Sequence, residues 1–125
     1  MSQPAALPVP IVIFAAILMS QLVLVAVSFA VPPGGSNPSI GPFLVLPAAA
    51  TAGLSLVAPH LFGPKFDRLT LHILRWALAE SATILGFVAA FMGAPRLFQA
   101  ACTAMGLVAM FAAFPPRDLA GPPRR

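Results

Sequence analysis

Four stretches of this chain are apolar for long enough to approach or cross a lipid bilayer, and they use nearly all of its length. An α-helix needs roughly 20 residues to span the hydrocarbon core. The stretches run from about Val9 to Val31, Phe43 to Phe62, Leu69 to Gly93 and Leu97 to Phe114, and a short basic tail follows at 115–125. The expected fold is therefore all-α. It is a polytopic membrane protein of one domain, 1–125, with four transmembrane helices in an up-down-up-down bundle. The second stretch is the least apolar and carries Pro47 and Pro59, so a kink or a partly re-entrant path is expected there.

The connections agree with that count. Residues 32–42 are uncharged and rich in Pro, Gly, Ser and Asn, which stops one helix and starts the next. Gly63 to Arg68 is a short charged loop, and Gly93 to Arg96 is so brief that the last two helices must form a tight antiparallel hairpin. No room is left for a soluble domain. Composition points the same way: 59% hydrophobic and only 8% charged residues, against roughly 25% charge in a soluble domain.

The charges cluster at Lys65, Asp67, Arg68 and Arg75, and again at Arg117, Asp118, Arg124 and Arg125, with Arg96 apart. So few basic residues do not make the dense face that nucleic-acid binding requires. They read as membrane-surface anchors: His60, Lys65, Arg68, His72, Arg75, Trp76 and Arg117 at a cytoplasmic interface, with the Arg75 stem snorkelling beside Trp76. The bias of Lys and Arg toward cytoplasmic loops then puts both termini inside and Arg96 outside. Ser28, Phe29 and Ala30 faintly resemble a signal-peptidase site, which would leave three spans. The preceding apolar run is longer than a signal-peptide core and has no basic segment before it.

No constellation of catalytic residues is present: there is no nucleophile elbow, phosphate loop, zinc-protease helix or pair of intramembrane carboxylates. A non-catalytic protein without cofactor is expected. His60 and His72 flank Asp67, but one carboxylate without a Cys pair makes a poor metal site, so no metal is expected. Cys102 is the single cysteine and reads as a small packing residue. Small residues four apart, Ala49 and Gly53, Cys102 and Gly106, Ala109 and Ala113, let helix backbones approach closely. They serve either the intramolecular bundle, the favoured reading, or an oligomer interface.

Glu80 is the one acidic residue within the apolar stretches. An ionised side chain at the bilayer centre costs about 2.5 to 3.5 kcal/mol on insertion scales, so such residues face protein or water and often carry function. In an up-down-up-down bundle the first and third helices run in the same direction, and Gln21 and Glu80 lie near the midpoints of their stretches. At equal depth, the Gln21 amide can hydrogen-bond a neutral Glu80 acid and remove much of the burial cost.

Ala77, Leu78, Glu80, Ile84, Gly86, Val88 and Ala90 resemble the carboxylate helix of rotary ATP synthase proteolipids. That resemblance implies an ion- or proton-carrying role for Glu80. The acid stands on the third of four helices, not the last of two, and the glycine-rich first helix and the polar Arg-Gln-Pro loop are missing. Over most of its length the chain resembles small uncharacterised four-helix bacterial inner-membrane proteins. The shared marks are Ser20-Gln21, then Ala77, Leu78 and Glu80, and the tail Pro115, Pro116, Arg117 and Asp118. That resemblance implies a multi-pass protein of the inner (plasma) membrane. The leading functional expectation is a structural or accessory protein with a buried Gln21–Glu80 clamp; the alternatives are a proton- or ion-handling protein using Glu80 and a docking subunit of a larger complex. Expected partners are the lipid bilayer and either further copies or that larger complex.

Overall fold

A computed structural model describes residues 8–30 and 36–116. Four helices, α1 (Val9–Ala30), α2 (Ile40–Phe62), α3 (Arg68–Phe91) and α4 (Arg96–Ala112), make up the described chain, and no strand occurs among those residues. The first three, of 22, 23 and 24 residues, are long and apolar enough to cross a membrane. α4 is shorter, at 17 residues. Its length of about 26 Å at 1.5 Å per residue lies just below the thickness of a hydrocarbon core.

Local chemistry sets the boundaries. α2 begins at Ile40, ahead of the sequence expectation, because Pro42 falls in the first turn, where a missing N–H leaves no bond unmade. Asp67 caps α3 by accepting the Thr70 amide at 3.4 Å. At the other end Gly93 takes φ 90°, the left-handed region that suits glycine. Its N–H reaches the Ala90 carbonyl at 3.1 Å and the Ala94 N–H reaches Ala89 at 2.9 Å. This pair of bonds closes the helix and turns the chain directly into α4.

Residue pairing gives the directions. Phe14 meets Trp76 and Gln21 meets Thr83, so α1 and α3 are parallel. The Asn37 amide meets the Gly93 carbonyl and Ser55 meets Arg75, so α2 runs against α3. Trp76 meets Ala113 in the same antiparallel sense for α4. The packing is nevertheless not a square bundle. α2, α3 and α4 pack as a triangle, whereas α1 lies on α3 with only a fringe approach to α4 and no close backbone approach to α2.

The triangle is held together at short range. Gln99, Cys102, Gly106, Ala109 and Ala113, spaced alternately three and four residues apart, are buried on one face of α4. A Cβ placed on Gly86 would stand 2.7 Å from that of Cys102, and one on Gly106 would stand 2.7 Å from the Ala79 carbonyl oxygen. The small residues of α4 therefore seat it against α3 within the chain. The pair on α2 behaves differently: Ala49 is exposed, and a Cβ on Gly53 would meet nothing within 4 Å.

The structure bears on three of the expectations for these helices. The second stretch forms a single uninterrupted helix, α2, running through Pro47 and Pro59. Pro59 has no N–H for the Ser55 carbonyl, its i−4 acceptor. The Arg75 Nε–H donates to that oxygen at 3.0 Å, and the Ser55 hydroxyl donates back to the Arg75 carbonyl at 2.8 Å. Arg75 is thus half-buried, with its Nε–H held against α2. Trp76, expected at the interface, is fully buried; its indole N–H donates to the Ala113 carbonyl at 2.7 Å, and Phe14 packs edge-on at 5.6 Å. Burial suits an indole whose N–H has found a carbonyl.

Candidate functional site

The polar groups of the interior lie along the seam where α1 meets the α3–α4 hairpin. On α1 the buried side chains beyond the first turn are Phe14, Gln21 and Ser28, a seven-residue repeat that keeps one face toward the same neighbours. Two of the three are polar. In lipid such a face is stable only where its groups bond to one another.

Glu80 and Gln21 are level, as their depths in the sequence imply, but they are not bonded to each other. Ser20 Oγ donates to Glu80 Oε1 at 2.6 Å at the edge of the seam, where Ser20 is exposed and Glu80 half-buried. Gln21, fully buried, accepts the Thr83 hydroxyl at 2.7 Å through Oε1. Consecutive residues on a helix point about 100° apart. The inward one, Gln21, meets Thr83 over Gly106: a Cβ on that glycine would run into the Thr83 hydroxyl oxygen. Its Nε2 is the one buried side-chain polar atom among the described residues with no partner. An unmade buried bond costs about 1–3 kcal/mol.

Two turns further along, the Gln99 amide nitrogen donates to Ser28 Oγ, and Ser28 donates to the Val25 carbonyl at 2.6 Å. Gln99 Oε1 accepts from Arg96 Nη1 at 3.0 Å, and the Arg96 guanidinium lies 4.9 Å from the centre of the Phe29 ring. Thr83 and Gln99 are partners that residue type alone does not single out. Spacing carried a signal for both: Thr83 is one turn beyond Glu80, and Gln99 is one turn beyond Arg96.

The expected interface residues group around the turn between α2 and α3. His60, Lys65 and Arg68 are exposed. His72 is half-buried, with Nδ1 2.8 Å from the Arg68 carbonyl and its ring edge-on to Trp76 at 5.9 Å. Hydrogen bonding from the Thr70 side chain, with its amide, holds the Asp67 carboxyl below its ordinary 3.8. Arg117 lies outside the described residues. Among those residues no three His, Cys, Asp or Glu side chains gather as metal ligands would.

Comparison of the chain with protein-family models, curated proteins and solved structures gives no match. The functional reading therefore rests on the side chains themselves.

Proposed function

We propose that this protein is a non-catalytic, structural or accessory component of an inner membrane, in which the polar seam fixes the position and register of α1. The chain spans four times, with α4 completing its crossing through flanking residues, and both termini face the cytoplasm. Support for that orientation comes from Ala113, which lies beside Trp76 near the start of α3. The chain therefore leaves α4 at the end that carries Lys65 and Arg68. The observation that carries the functional reading is the pairing of polar groups across helices: Ser20 with Glu80, Thr83 with Gln21, Gln99 with Ser28. α1 makes no close backbone approach to α2, so these bonds and the packing of Phe14 on Trp76, Phe111 and Phe114 hold it in place.

Glu80→Gln tests this. The amide oxygen can accept the Ser20 hydroxyl as the carboxyl does, so the clasp reading expects a folded protein with little loss of stability, measured by detergent unfolding. Glu80→Leu should loosen α1. A large destabilisation by Glu80→Gln would overturn the reading. A second reading, reversible proton handling by Glu80, is favoured by the position of the Ser20–Glu80 pair at the edge of the seam. It expects Glu80→Gln to abolish proton movement into proteoliposomes loaded with a pH-sensitive dye.

A further inference from the structure

Because α1 leans on α3 and meets α4 only at a fringe, a cleft of about 380 Å³ opens between α1 and α4. Val25, Phe29, Ala100, Thr103, Ala104 and Leu107 line it, and Arg96 and Gln99 close one end. The lining is almost wholly apolar while the mouth is cationic. Arg96 gives one N–H to Gln99 and rests a face over Phe29, and among the described residues nothing takes its other N–H groups, which can meet a ligand. The described carboxylates cannot neutralise it: Asp67 caps the opposite end of α3, and Glu80 is bonded to Ser20 on α1. Gln99 is anchored in turn on Ser28, so the guanidinium is positioned by a chain of bonds reaching into the seam.

We infer that this cleft holds one acyl chain of an anionic phospholipid, with Arg96 on the phosphate. This rests on the membrane reading above. A guanidinium presents a planar fork of donors that matches phosphate oxygens, and it is always charged. The apolar wall beneath it takes the hydrocarbon. A partner helix would cover the apolar wall but would bring no phosphate to the guanidinium. A free phosphate would use the arginine and leave the wall bare.

The test uses the full chain in detergent micelles, with native mass spectrometry counting retained dioleoylphosphatidylglycerol or dioleoylphosphatidylcholine. The expected result is about tenfold stronger retention of the anionic lipid, the factor one charge-assisted hydrogen bond supplies. Arg96→Gln should remove that preference. Ala100→Phe, at an exposed position on the cleft wall, should lower retention of both lipids. Equal retention of the two lipids by the wild type, or unchanged preference in Arg96→Gln, overturns the inference. So does displacement of the lipid by millimolar inorganic phosphate alone, which would assign a simple anion site. If Ala100→Phe loses its helical signal, Arg96→Gln decides by itself. Carbonate washing of vesicles separates the two levels: a chain that washes off refutes the membrane reading, and one that stays while Arg96→Gln is neutral refutes only the lipid site.

Discussion

Replacing Arg75 by Met, an apolar side chain of similar reach, should destabilise the protein by an amount that depends on residue 59. The Arg75 Nε–H stands 3.0 Å from the Ser55 carbonyl that Pro59 leaves without its helical donor. A hydrogen bond to a charged group contributes about 1.5–3 kcal/mol, and a buried carbonyl left alone costs about 1–3 kcal/mol. Relief from burying the guanidinium offsets part of this. The net loss expected for Arg75→Met is about 1–3 kcal/mol. In a Pro59→Ala background the new N–H can satisfy Ser55 along the helix, and Arg75→Met should then cost about 1–2 kcal/mol less. The four proteins of this cycle can be unfolded by SDS titration in mixed micelles, following the fluorescence of Trp76, the single tryptophan. Additivity within about 0.5 kcal/mol would refute the reasoning. It would mean that Arg75 does not stand in for the missing proline donor.

Other predictions follow from packing and capping. Gly106→Val should cost about 1–3 kcal/mol by overpacking, since its Cβ would press on the Ala79 carbonyl oxygen. Gly53→Ala, where a Cβ meets nothing within 4 Å, should be neutral or stabilising by up to about 1 kcal/mol in the same unfolding assay. Trp76 should emit in the blue and resist quenching by aqueous iodide, and Trp76→Phe should cost about 1–3 kcal/mol through the orphaned Ala113 carbonyl. Asp67 is lowered from 3.8 by its Thr70 bonds, so its capping contribution is present above 3.8 and is lost as pH falls through the lower folded value. Asp67→Asn keeps a capping oxygen and should remove that acid dependence, whereas Asp67→Ala should lose the cap at every pH, as read by helicity on acid titration.

Much of the architecture was legible because it is one-dimensional. Apolar run length sets where helices lie, and the glycine and prolines around Gly93 set where the chain must turn back. Depth along a helix is also linear in residue number, which is why Gln21 and Glu80 were placed at one level. The azimuth of a side chain is not linear in that way. Gln21 faces inward where Thr83 on a different helix, itself lying over Gly106, offers its hydroxyl, and Ser20 is left for Glu80.

Arg75 and Trp76 make the same point from the surface side. Their residue types favour a membrane interface, and residue type was all the sequence offered. A proline on α2 and the final carbonyls of α4 supplied partners that drew both inward. An all-helical chain, the extent of its helices and the lone acid within its apolar stretches are already fixed by residue order, because these follow from hydrophobicity and backbone hydrogen bonding within single segments. Helix packing sets the rest: α1 stays clear of the α2 backbone, the polar seam joins α1 to α3 and α4, and a cleft opens beside Arg96. Those outcomes depend on which helices come close enough for small residues and polar groups to meet, and no single segment carries that information.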